Sequence, residues 1–326
     1  MAISSTPSSS TTEDFTRFST RRIGTTRDRV RSVAWNLDGR RLATGGVDRT
    51  LRIYLPDKDA RSSTECRGHS GEVSCVRWNP THPERLATCS ASSQDKALHF
   101  WDIRQGSKPT STIETHGDNI TMVWSPDGKT IVLGNRSDEV TWIDVEEQRI
   151  VRKETKKGET NEAIFSHNGS LLFTGIEGVV HINAFPSNTP IHTVTVAGWP
   201  TTVLDLDPRG RYLAAGSNDT TLTLLDTEEW TCVATSGVHE YVYLSTFPRN
   251  AGSAADPVRM CRISPDGNYL ASSASDSAGI IISEIPSLRK LHSISTAVSC
   301  DSLAWHPTKN VLAYGGGETA IWGAGV

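Results

Sequence analysis

One pattern recurs along this chain and constrains its fold more than its composition does. Each copy has an apolar stretch ending in a large apolar anchor, a short turn that often reads Pro-Asp-Gly, a Leu-Ala pair, an aspartate, and a second apolar stretch. The first copy carries Val30, Val33 and Trp35, then Asp38-Gly39, Leu42-Ala43, Asp48 and Leu51 to Tyr54. The third reads Trp124-Ser125-Pro126-Asp127-Gly128 with Asp138 and Trp142-Ile143-Asp144, and the sixth Ile263-Ser264-Pro265-Asp266-Gly267 with Leu270-Ala271 and Asp276. The anchors Trp35, Trp78, Trp124, Phe165, Leu206, Ile263 and Trp305 are separated by 43, 46, 41, 41, 57 and 42 residues.

β-branched and aromatic residues suit half-buried strands, Pro-Asp-Gly supplies turn geometry, and helical periodicity is largely missing. A period of about 40–45 residues is the length of one four-stranded propeller blade, which buries its faces only against neighbouring blades. Seven copies therefore predict an all-β chain, a single seven-bladed β-propeller over residues 15–326. The seventh copy ends at Trp322, leaving no room for its fourth strand. Phe15, Phe18 and Ile23 precede the first copy, so this segment is expected to supply that strand and close the ring, which removes an open edge. A disordered basic arm is the alternative. The long 57-residue interval predicts a loop insertion at about 241–256. Residues 1–14, with a Ser/Thr-rich run, are expected to form a disordered tail, because such a segment buries too little apolar surface to offset its ordering entropy.

The hydrophobic fraction of 36% supports a packed core, and no apolar run approaches the roughly 20 residues needed to span a bilayer. Six cysteines, Cys66, Cys75, Cys89, Cys232, Cys261 and Cys300, include no Cys-x-x-Cys pair. Without a leader-like segment, a reduced compartment is the simplest reading. Charge is uneven. Eight arginines between Arg17 and Arg41 face only Asp28 and Asp38, making that segment +6 in a chain of formal charge -4, so the remainder carries -10.

No nucleophile elbow, P-loop, His-Glu-x-x-His or dinucleotide fingerprint is present, and the scattered histidines suggest no metal site. No catalytic residue, cofactor or metal is expected. The candidate interface residues are Arg17, Arg21, Arg22 and Arg29, whose guanidinium groups suit phosphate or carboxylate, together with Trp199. If Arg17, Arg21 and Arg22 share an edge strand, alternation puts Arg17 and Arg21 on one face and Arg22 on the other. Arg27, Arg29 and Arg31 would then approach the first blade through a loop and converge near the seam as a positive patch, and charge reversal at Arg21, Arg22 and Arg29 would leave the fold intact. A solvated strand edge is the plainer reading of the same charges. His239-Glu240 reads as solvated.

Gly68-His69 with Trp101-Asp102 makes the second copy resemble a WD repeat. That resemblance implies a buried network of His69, Thr88, Asp95 and Trp101. The long run Ala91 to Gln94 before Asp95 departs from the pattern and puts the position of that aspartate in doubt. The stretch Ile120 to Gly128, with Ile131 to Asn135 and Val140 to Asp144, is similar to the WD-repeat subunit family of the THO complex (subunit 3) over roughly residues 15–322. This similarity implies a nuclear, non-enzymatic docking subunit of a transcription–export assembly. Its partners would be other THO subunits, chiefly the large helical scaffold. A DEAD-box RNA helicase and mRNA would be met indirectly, direct RNA contact being left open, and no membrane would be involved. The rival reading is a peptide-recognition module of a ubiquitin-ligase or chromatin complex.

Overall fold

The computed structural model describes residues 13–24, 28–237, 239, 256–275 and 277–326. Among these, twenty-eight strands form seven antiparallel four-stranded sheets. In six blades the strands run in chain order from the axis outward. Blade 1, for example, is Val30–Trp35, Leu42–Gly46, Thr50–Leu55 and Asp59–Arg67. The inner strands of blades 2 to 6 are Val73–Trp78, Asn119–Trp124, Glu162–Phe165, Thr201–Leu206 and Val258–Ile263.

Each recurring residue has a mechanical role. Gly39, Gly128, Gly169, Gly210 and Gly267 turn the inner hairpin with φ of +69, +71, +71, +74 and +68, a region that side-chain-bearing residues avoid. The alanines of the Leu-Ala pairs, Ala43, Ala87, Ala214, Ala271 and Ala313, are all fully buried; a small side chain there lets the next blade approach. Three of the four anchor tryptophans bond across to the preceding blade. The indole N–H of Trp78 donates to the Ala34 carbonyl at 2.9 Å, Trp124 to Arg77 at 3.2 Å, and Trp305 to Arg262 at 2.9 Å. Outer strands such as Arg149–Thr155 alternate between exposed and half-buried residues, since only one face meets a neighbour.

Blade 7 breaks the chain order. Its strands are Cys300–Trp305, Leu312–Gly316 and Thr319–Ala324, and the outermost is Phe18–Arg22 from the start of the chain. Phe18 pairs with Ala324, Thr20 with Trp322 and Arg22 with Ala320. A 3-10 turn, Phe15–Arg17, precedes this strand and is capped by Asp14. Phe15 is buried, with ring centroids 5.0 Å from Tyr269 and 5.5 Å from Trp322, so one side chain joins blades 6 and 7. Packing begins two residues before the expected boundary at 15. The Glu13 N–H donates to the Tyr269 hydroxyl at 3.0 Å, and Asn310 donates to its carboxylate at 2.8 Å. The remainder of the tail and nearly all of the 241–256 insertion lie outside the described residues.

Candidate functional site

Three regions carry the polar side chains that could do work: the WD network of blade 2, the mouth of the central channel, and the seam where the ring closes.

In blade 2, His69 Nδ1 lies 2.9 Å from Asp95 Oδ2, and His69 Nε2 lies 2.7 Å from Thr88 Oγ1. Trp101 Nε1 donates to the same hydroxyl at 2.8 Å. Asp95 also accepts the backbone N–H groups of Ser70 and Gly71, both at 2.8 Å. All four side chains are buried. Burial alone would raise the Asp95 carboxyl, but the His69 bond and the Gly71 N–H outweigh it and hold the group well below the usual carboxylate range. The Ala91–Gln94 run is absorbed in the loop, so Asp95 still reaches its partners. The imidazole of His99 packs 4.4 Å from that of His69, and burial together with that neighbour lowers it to about 4.

Blade 6 holds part of the same device. His239 is buried and 3.0 Å from Ser272 Oγ, and Leu270-Ala271-Ser272 matches Leu86-Ala87-Thr88. The expectation that His239 is solvated is therefore wrong. Its place next to the insertion hid its equivalence to His69, and Leu-Ala-Ser was the signal that could have revealed it.

The inner strands enclose a cavity of about 530 Å³ at one end of the channel. Position by position before each anchor, they present Arg31, Ser74, Ile120, Asn161, Thr202, Arg259 and Asp301, all lining the cavity. Its walls are electrically unlike. Arg31, Arg259 and Asp301 come from blades 1, 6 and 7, while Glu159, Glu162 and Glu177 belong to blade 4 or the loop before it. Glu162 is shared by Arg262 at 3.4 Å and Arg77 at 3.8 Å. Asp205 accepts the Ile263 N–H at 2.6 Å. Burial raises its carboxyl to about 6 despite the opposing charge of Arg262. Sequence reasoning missed these groups, because channel-facing positions differ in residue type from blade to blade.

The candidate interface arginines do not act as one patch. Arg17 lies in the 3-10 turn, before strand alternation begins, and pairs with Asp14 at 3.2 Å. It therefore does not share a strand face with Arg21, contrary to expectation. Arg21 donates to the Pro56 carbonyl at 3.3 Å, and Arg22 pairs with Glu318 at 2.7 Å. Arg29 grips Asp301 with two bonds and donates to Ser299 at 3.0 Å. Arg31 and Arg259 reach the same carboxylate at 3.2 and 2.9 Å. Burial would raise Asp301, but the Arg29 bond and three guanidinium charges hold it below its ordinary value. Arg29 and Arg31 do converge at the seam, yet Asp301 and, through Arg31, Glu72 at 3.1 Å neutralise most of their charge. Reversal at Arg29 would set a second negative charge against the buried Asp301, so a cost to stability is expected there; Arg27 lies outside the described residues. Trp199 is the most exposed large apolar side chain among the described residues, at 64%. Its carbonyl accepts the Ser217 hydroxyl at 3.0 Å, and the following Pro200 lines the cavity.

A ring of seven such blades has known relatives. The family model "WD domain, G-beta repeat" matches residues 18–54, 60–102 and 242–280. THO complex subunit 3 of Arabidopsis thaliana is 34% identical over 295 residues, covering 89% of this chain and 87% of that protein. The chain belongs to the THO complex subunit 3 family. WD repeat-containing protein AAC3 of Dictyostelium discoideum is 30% identical over 312 residues, covering 87% of this chain and 60% of that protein. The repeat of this family is out of phase with the blade. Residues 18–54 begin on the outer strand of blade 7 and end on the third strand of blade 1. The units 18–54 and 60–102 each therefore join two blades, and the first of them closes the ring.

Proposed function

We propose that this propeller is a non-enzymatic docking subunit of a nuclear THO complex, within which transcription is coupled to packaging and export of messenger RNA. The observation that carries this reading is the collinear similarity to THO complex subunit 3 across 89% of the chain. The match to the WD repeat-containing protein slp1 of Schizosaccharomyces pombe, by contrast, covers 36% of this chain. Propellers place function in the loops displayed around a rigid ring. The exposed Trp199, beside the charged cavity, is the side chain best suited to anchor a protein partner, since aromatic residues dominate interface energetics. The partner is the large helical scaffold subunit, and through it the helicase and the message are met. Direct RNA binding by the arginine segment is disfavoured, because Arg17, Arg22 and Arg29 are engaged with carboxylates. No observation favours a ubiquitin-ligase or chromatin peptide reader.

Tagging the protein at its own locus and purifying it from nuclear extract tests this reading. Large helical THO subunits in near-equal amounts are expected. A cullin adaptor or histones in their place, or a protein found outside the nucleus, would overturn it.

A further inference from the structure

Blade 2 carries two thiols on facing strands. Cys75 lies in Val73–Trp78 and Cys89 in Arg85–Ser90, and the ladder pairs them directly. Opposed residues of an antiparallel pair point to the same face, with Cα atoms about 4.5–5.5 Å apart. That spacing lies inside the roughly 4.4–6.8 Å window of a disulfide. The two thiols are close enough to shift one another's acidity, Cys75 downward and Cys89 upward, and Cys75 donates its proton to the Ile120 carbonyl at 3.2 Å. Both thiols are buried, but Cys75 lines the channel cavity and Cys89 does not.

We propose that Cys75 and Cys89 are a peroxide-sensitive dithiol, with Cys75 as the attacking sulfur, Cys89 as the resolving thiol, and a reversible disulfide within blade 2 as the product. In the first step the Cys75 thiolate attacks one oxygen of hydrogen peroxide. The O–O bond breaks, hydroxide leaves, and a sulfenic acid forms. In the second step the Cys89 sulfur attacks Cys75, the S–O bond breaks, and the Cys89 proton leaves with the departing hydroxide as water. Two thiols lose two electrons, and one peroxide becomes two waters.

Local chemistry favours this pair over the other cysteines. The neighbouring Cys89 thiol and the charge of Arg77 lower the Cys75 thiol against the effect of burial, and the thiolate is the reactive form. Burial pushes Cys66 up to about 11 and Cys300 up to about 12, and it raises Cys261 further. Cys232 is exposed on an outer strand, which makes it an internal control for unselective oxidation. The disulfide would also remove the Cys75 donor from Ile120, and with it one link between blades 2 and 3 at the channel wall.

The full-length protein can be titrated with hydrogen peroxide, denatured in N-ethylmaleimide and digested with trypsin. Cys75 and Cys89 fall in separate peptides, 68–77 and 86–96, neither of which holds another cysteine. The expected result is a linked 68–77/86–96 species that forms before Cys232 is oxidised and disappears on adding dithiothreitol. In a Cys89→Ser variant, Cys75 should instead accumulate as a dimedone adduct. A Cys89→Ala variant, checked for an unchanged melting curve, gives the same readout if serine perturbs the blade. Oxidation of Cys232 with no linked species from folded wild-type protein, and no dimedone adduct at Cys75, would overturn the proposal.

Discussion

Blade 2 and blade 7 solve the same problem by opposite means. Blade 2 is held from within by four buried polar side chains taken from one stretch, His69 to Trp101. Blade 7 is held by a strand about 300 residues distant, joined through a ladder and an aromatic cluster of Phe15, Phe18, Tyr269 and Trp322. A local polar network costs little chain entropy to assemble but is unforgiving, since a lost partner leaves a buried charge. The closing strand stabilises through apolar burial and ring closure, and its loss exposes an edge and two blade faces together.

Removing the strand should have the largest effect. Deletion of residues 1–23 is expected to lower the melting temperature by on the order of 10 °C, because the buried Phe15 and Ile23 are lost at about 2–5 kcal/mol each, together with the half-buried Phe18. Deletion of 1–12 should leave it unchanged. Equal melting of the two chains would dissolve the contrast between the blades.

Next comes the polar network. Asp95→Ala is expected to cost about 3–5 kcal/mol in denaturant titrations, as is usual when one partner of a buried pair is removed. Ser272→Ala in the partial network of blade 6 should cost about 1 kcal/mol. If the two costs matched, the completeness of the blade 2 network would be irrelevant to stability.

At the closing seam, Arg29→Glu should cost about 2–4 kcal/mol, because Asp301 is buried and would face a second negative charge. Arg22→Glu should cost under about 1 kcal/mol, since its pair with Glu318 is exposed on the arginine side. The Asp301 carboxyl is held below its unfolded value. Its contribution is therefore complete above the unfolded pKa of about 4 and fades as pH falls through the folded value. The difference between Arg29→Glu and wild type should shrink in acid.

Asp205→Asn should change stability in the opposite sense. The folded carboxyl is raised from 3.8 to about 6. The fold thus gains stability from the protonated group below the unfolded value and loses it as pH rises through 6. An amide does not titrate, so the variant is expected to be more stable by up to about 3 kcal/mol at pH 7 and close to wild type near pH 4.

The blade count, the Leu-Ala packing pairs, the anchor tryptophans and the closing strand were legible because each belongs to a repeat, or to a gap in one. The residues of the blade 2 network were legible through Gly68-His69 and Trp101-Asp102. The channel was not. Arg77, Asp205 and Arg262 each stand one residue before an anchor yet differ in type from blade to blade, and Glu162, which pairs with two of them, stands three before its own. The arginine segment misled for another reason. Its charge was visible, but Asp301 and Glu318, which neutralise it, lie near the far end of the chain.

Hydrogen exchange on the 1–12 and 1–23 deletions reads the closure most directly. With the strand removed, amides of Thr319–Ala324 should exchange at least tenfold faster, while those of Ala97–Asp102 in blade 2 keep their protection. Unchanged protection of Thr319–Ala324, or equal loss in both blades, would contradict a ring closed by its own N-terminal strand.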